Sequence, residues 1–303
     1  MLYDVVIIGA GPAGLSAGIY ASRAGAKTLI VEKFFTGGQA TQTYEIENYP
    51  GYTKIGGFEL MQEMEKQAIS CGVELKFDEL QQVDLQSKTI TFSSGEVITA
   101  KAIIIASGAT HKSLGVEGEE SFVGAGLSYC ATCDGAFFKN QDVAVVGGGN
   151  TAVGDCLYLS RFAKKVYIIH RRNEFRATPI LVERMQKTDT IIKTPYVVKG
   201  LKKDEKGKLC AVVLENKETK EEELLDVSGI FVAVGQVPST EIFDVEKDEK
   251  GYIITDENMK TNVDGVFAVG DCRAKVLRQI VTATADGAIA GEEAVTYITI
   301  NNK

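Results

Sequence analysis

Val5-Val6-Ile7-Ile8-Gly9-Ala10-Gly11-Pro12-Ala13-Gly14 decides the fold. An apolar strand runs into a glycine turn, and a helical stretch follows from Leu15 to Ala24. In a GxGxxG turn the first glycine permits the tight bend, the second lets backbone amides approach a pyrophosphate, and the third lets helix and strand pack closely. The helix N-terminus adds partial positive charge where a phosphate would sit. A second apolar strand, Lys27 to Val31, ends in Glu32, 18 residues after Gly14, where an acid accepts hydrogen bonds from ribose hydroxyls. This is a complete βαβ dinucleotide unit.

The unit recurs. Asp142 to Val146 reads as a strand, Gly147-Gly148-Gly149-Asn150-Thr151-Ala152 as a GxGxxA turn opening a helix, and Lys165 to Ile169 as another strand. The offset is 138 residues throughout: Gly9, Gly11 and Gly14 map onto Gly147, Gly149 and Ala152, and Glu32 maps onto His170. Arg171, Arg172 and Arg176 follow that histidine. A free ribose 2′-hydroxyl calls for an acceptor, whereas a 2′-phosphate calls for guanidinium donors. Two unlike nucleotides on one chain point to FAD in the first unit and NADPH in the second.

The rest of the chain arranges itself around these repeats. Phe92 to Ala100 reads as a strand and turn, and Ala102 to Ala106 as a buried strand ending in Ser107-Gly108. Gly229 to Val234 is a matching exit strand, with Pro238 expected to stop further pairing. Charged stretches at Lys202 to Lys208, Lys217 to Glu223 and Glu246 to Gly251 read as solvated turns. A small strand is expected at Tyr252 to Thr255 and a helix from Thr282 to Tyr297. The last part has no βαβ unit of its own, so it returns to the first domain. The expected fold is α/β, with two Rossmann-like dinucleotide domains: residues 1–114 and 239–303 for FAD, and an inserted 115–238 for NADPH.

Composition sets limits on function. The 303 residues, 45% of them hydrophobic, with 31 Gly and 5 Pro, suffice for two cores. Forty-one acidic against 33 basic residues give a net charge of -8, which disfavours nucleic acid and anionic membranes as partners. No apolar run approaches a membrane span, and the N-terminal residues lack a signal-peptide layout, so the chain reads as cytosolic.

Among six cysteines, Cys130 and Cys133 form the single CxxC pair, 14 residues before Gly147 at its second cysteine and followed by Asp134-Gly135. Zinc would need two further ligands at short spacing, and neither a second CxxC nor paired histidines occur, so no metal is expected. Electrons passing from nicotinamide to flavin would then end on a Cys130–Cys133 disulfide. Asp134 could donate a proton to an emerging thiolate if partial burial raises its pKa.

These residues resemble the low-molecular-weight thioredoxin reductases of bacteria. The likeness rests on Gly9 to Gly14, Gly37-Gly38-Gln39, Glu47-Asn48-Tyr49-Pro50-Gly51, Cys130 to Gly135, Gly147 to Ala152, His170-Arg171-Arg172 with Arg176, Gly270-Asp271 and Arg278-Gln279. It implies NADPH-dependent reduction of thioredoxin by a homodimer. It further implies that Gln39, Asn48, Asp271 and Gln279 touch FAD, with Pro12, Ala13, Lys33, Gly38, Gly108, Gly270 and Arg278 contributing. Asn150 and Thr151 would serve the second nucleotide. Cys133 would face the flavin, Cys130 would attack the disulfide of thioredoxin, and Asp134 would be the acid. The family turns the inserted domain between half-reactions, for which Lys112 to Gly115 and Pro238 to Ser239 would be hinges.

One departure stands out. After the second glycine turn the family continues with two glutamates and an alanine, whereas this chain has Gly154-Asp155-Cys156. A helix-interior glycine costs roughly 1 kcal/mol relative to alanine, which loosens the first turns of that helix. Two rivals to the reductase are a related enzyme driven by ferredoxin, which would not need the arginines, and a non-turnover FAD redox sensor, which would not need the second nucleotide site.

Overall fold

The computed structural model describes the chain except residues 1, 44, 45, 47, 302 and 303 and the side chains of Gln42, Thr132 and Cys133. Glu47 of the family-like motif therefore lies outside the described residues. The chain divides into two compact units, one of Met1–Thr110 with Val237–Lys303 and the other of His111–Gln236.

In the first unit β1 (Leu2–Ile8), α1 (Pro12–Arg23) and β2 (Thr28–Glu32) form the first βαβ unit. They are followed by α2 (Gly57–Ser70), β3 (Glu74–Phe77), β4 (Leu80–Asp84), β5 (Thr89–Phe92) and β6 (Val97–Ile105). The strand order is β3-β2-β1-β6-β5-β4. Strand β6 is continuous where a turn near residue 100 is expected. It has two jobs along one edge: Val97–Thr99 pair antiparallel with β5, while Ile103–Ile105 pair parallel with a strand that arrives much later in the chain.

The chain leaves through β7 (Ala109–His111). The second unit holds β8 (Leu127–Ser128), α3 (Ala131–Asp134), β9 (Asp142–Val146), α4 (Asn150–Leu159), β10 (Lys165–Ile169), α5 (Pro179–Gln186) and β11 (Ile191–Lys193). These are followed by β12 (Tyr196–Lys203), β13 (Leu209–Asn216), β14 (Glu222–Asp226) and β15 (Gly229–Val232). The central sheet is parallel in the order β11-β10-β9-β15-β8, and a separate antiparallel sheet is β12-β13-β14. That second sheet corrects the reading of the charged stretches as turns alone: Lys202 and Lys203 close β12, and Glu222 and Glu223 open β14. An antiparallel sheet with a wet face carries charges inside its strands.

The return crossing is β16 (Gln236–Pro238), which pairs with β7. Pairing thus runs on to Pro238, because a two-stranded ribbon is all edge and needs no N–H there. Then come β17 (Val266–Ala268), which is the late partner of β6, and α6 (Ile280–Asn301). In place of a strand at Tyr252 to Thr255 there are single bridges from Ile253 to Lys247 and Arg273.

The inner parallel strands β1, β9 and β15 are mostly apolar because both faces of their sheets are covered, whereas the edge strands β3 and β11 are largely exposed. Two buried clusters flank the sheet of the first unit, one containing Ile7, Leu15, Met61 and Ile104, the other Ile8, Phe92, Ile103 and Phe243. Helix α6 lies against α1 at very short range: a Cβ on Gly287 would sit 2.1 Å from the Ala13 carbonyl oxygen, and one on Gly291 would sit 2.7 Å from that of Ala17. The Ser16 hydroxyl donates to the Thr284 carbonyl at 2.7 Å.

Candidate functional site

In the first unit Gly9 has φ +110°, a conformation other residues rarely adopt, and a Cβ there would lie 2.3 Å from the Ala106 carbonyl oxygen. A Cβ on Gly14 would lie 1.9 Å from the Gly9 carbonyl oxygen, so α1 can approach the turn only with glycine there. Gly11, the residue before α1, has open space where a Cβ would be, and no side chain caps the helix, which begins at Pro12 and Ala13. Its first amides are thus free to face a ligand.

Glu32 braces this turn. One of its oxygens accepts the Ala10 amide at 3.0 Å and the other the Lys33 amide at 2.7 Å, and a carboxylate has lone pairs to spare for hydroxyl donors. The Lys33 ammonium turns outward to Glu79 at 2.6 Å. The Gly37 amide donates to Ala10 at 2.8 Å, laying Gly38 and Gln39 beside the turn, and the Gln39 amide donates to the Ala109 carbonyl. The Gly108 carbonyl accepts the Ser239 amide at 3.0 Å. Asn48 and Gln279 meet directly, amide to carbonyl, at 3.0 Å.

Gly270 and Asp271 form a short turn between β17 and α6. Asp271 Oδ1 is buried with no hydrogen-bond partner among the described residues, and so is Arg278 Nε. Burial pushes the Asp271 carboxyl up, against the opposing pull of Lys275 and Arg278. The Arg278 guanidinium lies 3.9 Å over the Tyr252 ring and donates to the Arg273 carbonyl at 3.3 Å.

The second unit repeats the first turn closely. A Cβ on Gly147 would sit 2.3 Å from the Ala233 carbonyl oxygen, which matches the approach of Gly9 to Ala106. Gly149 precedes an uncapped α4 with open space at its Cβ, Ala152 replaces the third glycine, and Thr151 is exposed. The Gly148 carbonyl accepts the amides of Arg176 at 2.7 Å and Ala177 at 3.1 Å, and Asn150 Oδ1 accepts the Thr178 amide at 2.8 Å. The loop carrying the arginines is therefore stitched onto the turn, and Arg171, Arg172 and Arg176 are all exposed.

His170 differs from them. It is 5% exposed, its ring stacks on Phe175 with centroids 5.5 Å apart, and a Cβ on Gly148 would lie 2.3 Å from its Cε1. Burial holds its pKa down, so its part is to buttress the turn as a neutral ring. On α4, Asp155 is half-buried and burial pushes its carboxyl up to about 7, while Cys156 behind it is fully buried with its thiol pushed well up.

Cys130 is disulfide-bonded, and Cys71, Cys156, Cys210 and Cys272 are free. The Ser128 hydroxyl accepts the Cys130 amide at 3.0 Å and donates to its carbonyl at 3.2 Å, a tight turn that feeds into α3. Cys133 lies in α3, and its side chain is outside the described ones. The Asp134 amide donates to the Cys130 carbonyl at 3.2 Å, and its half-buried side chain follows directly on the dithiol segment. Gly135 fits against α4, where a Cβ would come within 2.9 Å of Leu159.

Sequence reasoning missed two buried acids. Glu119, 2% exposed, accepts the amides of Leu114 (2.8 Å) and Gly115 (2.9 Å) and the hydroxyl of Tyr129 (2.8 Å), next to Cys130. Tyr129 in turn stacks on His111 at 5.4 Å. Asp286, 6% exposed, sits in α6. Its signal was an acid inside Thr-Ala-Thr-Ala-Asp-Gly-Ala-Ile-Ala, a run otherwise of small and apolar residues.

The sequence pattern of the pyridine nucleotide-disulphide oxidoreductases matches residues 3–287. The chain belongs to that family. Within it, a thioredoxin reductase of Listeria innocua is 47% identical over 304 residues, covering 98% of this chain and 94% of the relative. One from Treponema pallidum is 44% identical over 303 residues, covering 98% and 97%. Among solved structures, Lactococcus lactis thioredoxin reductase superposes with a TM-score of 0.88 at 43% identity, covering 98% of this chain and 99% of that one. The residues present in this oxidoreductase fit a dinucleotide in each unit. Both turns leave uncapped helix starts and open glycine faces, and the first adds the unpartnered buried oxygen of Asp271.

Proposed function

We propose that this oxidoreductase is an NADPH-dependent thioredoxin-disulfide reductase. FAD would be held in the first unit by the turn Gly9–Gly14, Glu32, Gln39, Asn48, Asp271 and Gln279. NADPH would be held in the second by the turn Gly147–Ala152 and by Arg171, Arg172 and Arg176. The observation that carries the reading is one turn geometry built twice, braced by a carboxylate in the first unit and flanked by exposed guanidinium groups in the second.

Bound there, FAD supplies two-electron chemistry between the nicotinamide and a Cys130–Cys133 disulfide. The chain's own residues do the rest. The Cys130 thiolate attacks a sulfur of the thioredoxin disulfide, forming a mixed disulfide and expelling the other sulfur as a thiolate, which takes the proton of Asp134. Cys133 then attacks Cys130, which re-forms the intramolecular disulfide and releases dithiol thioredoxin. The three exposed arginines give a 2′-phosphate its donors, which neither a ferredoxin-driven enzyme nor a simple sensor requires. The proposal extends to a homodimer, to turning of the inserted unit at Lys112–Gly115 and Pro238–Ser239, and to work in the cytoplasm. No described helix is long and apolar enough to cross a membrane.

The test is anaerobic mixing of the yellow protein with NADPH, and separately with NADH, while the flavin band is followed. Rapid bleaching by NADPH and slow bleaching by NADH are expected. No bleaching by either, with normal bleaching by dithionite, overturns the second-site reading. In Cys130→Ser, bleaching should persist while thioredoxin reduction is lost.

A further inference from the structure

Asp286 is nearly enclosed, yet every polar atom of its carboxylate is engaged. Oδ2 accepts the Gly270 amide at 3.0 Å and the Lys275 ammonium at 2.7 Å, and Oδ1 accepts the Arg273 guanidinium at 3.1 Å. The cations are themselves pinned: Lys275 Nζ also donates to the Thr282 carbonyl at 3.2 Å, and Arg273 Nε donates to the Thr255 hydroxyl at 2.9 Å. Lys275 and Asp286 side chains are each 9% exposed. One helical carboxylate thus fixes the backbone of Gly270 and collects two cations beside Asp271.

Asp271 next door has a buried oxygen with no partner among the described residues. The Asp286 oxygen that holds the Gly270 amide also holds the Lys275 ammonium, which places that cation beside the residue preceding Asp271 yet bound to Asp286. Two carboxylates therefore compete for one lysine, and the one on α6 holds it. The packing leaves little freedom for another outcome, because Gly287, the next residue, is pressed against Ala13 at the start of α1.

We propose that Asp286 is the positioning residue of the flavin site: by holding the Gly270 amide and sequestering Lys275 and Arg273, it keeps the Asp271 carboxylate open to accept a hydrogen bond from the cofactor. This rests on the reading that Asp271 faces FAD. In Asp286→Asn the two cations lose their counter-charge and Lys275 is released to Asp271, where it occupies the acceptor. Asp286 is thus a selectivity device within the site, since it decides which donor Asp271 takes.

The test follows FAD leaving the holoenzyme after dilution, read as the rise of free-flavin fluorescence. D286N should release FAD about tenfold faster or more, the scale of one lost charge-assisted hydrogen bond. The double variant D286N with K275M, which removes the competing ammonium, should return the rate to within about threefold of wild type, whereas loss of structural support alone makes the double variant no better than the single. Wild-type release from D286N, or a double variant as fast as D286N, overturns the proposal. Should D286N fail to accumulate folded, D286E and its double with K275M carry the same comparison: faster release from D286E than from the double variant supports the competition, and equal release from both overturns it. A wild-type protein that carries no FAD would instead remove the flavin reading itself.

Discussion

Asp155→Asn should change how stability depends on pH, and the structure sets the size of the change. Burial on α4 raises this carboxyl from its ordinary 3.8 to about 7. The folded state thus holds its proton more tightly than the unfolded chain, so wild-type stability falls as pH rises from about 4 and levels off above about 7. At about 1.4 kcal/mol per unit, the full penalty is of order 4 kcal/mol, and roughly 3 kcal/mol of it is incurred between pH 5 and pH 8. The side chain keeps some contact with solvent, which places the observable change at about 1 to 3 kcal/mol. Asparagine is nearly isosteric and carries no such titration. Urea unfolding of both proteins without nucleotide, in a series from pH 5 to pH 8, measures the difference directly, because every other titrating group cancels. The advantage of the variant should grow by that amount toward pH 8. Parallel curves would refute the reasoning and mean that Asp155 is solvated as an ordinary carboxylate.

Arg176→Ala should raise KM for NADPH by about 10- to 100-fold while leaving kcat and the kinetics with NADH nearly unchanged, a split read in steady-state assays. Glu119→Gln should cost about 1–3 kcal/mol of unfolding free energy, because its amide must face one of the N–H groups the carboxylate now accepts. The same variant should lower the Tyr129 phenol, now pushed up to about 12 chiefly by burial and then by Glu119, and a difference ultraviolet titration against wild type should show it. Gly14→Ala should expel the flavin, since its Cβ would sit 1.9 Å from a carbonyl oxygen, whereas Gly154→Ala, with open space around it, should stabilise α4 by roughly 1 kcal/mol. The flavin-to-protein absorbance ratio checks the first and urea unfolding the second.

The two glycine turns are legible because their demand is local: positive φ at Gly9 and Gly147, and a close carbonyl on each, leave few residue choices. The 138-residue offset then identifies the second unit from the first. What the sequence hides is set by partners far along the chain. Whether Val97 to Ile105 is one strand or two depends on β5 at one end and β17 at the other. The sheet β12-β13-β14 hides for another reason, since strands such as Glu222–Asp226, alternately exposed and half-buried, look like charged turns. His170 is misleading in kind: it occupies the position of a ligand-reading residue, yet the absent side chain at Gly148 draws its ring beneath the turn. Asp286 and Glu119 are visible as residues, but their partners are chosen by the fold.

The insertion of one unit within the other has a consequence for biosynthesis. Strand β17 and helix α6 follow the inserted unit in the chain, yet they complete a sheet and cover a helix whose residues precede it. Until they emerge, β6 lacks its late partner and the surface of α1 at Ala13 and Ala17 has nothing against it. At about 5–20 residues per second that wait lasts roughly ten to forty seconds, during which the whole of the inserted unit has left the ribosome and can fold. The middle of the chain is therefore ready first and the ends last, so a nascent chain passes through a state with one finished unit and one open sheet. That interval is when the protein is most exposed to chaperones, to proteases and to pairing with a second unfinished copy.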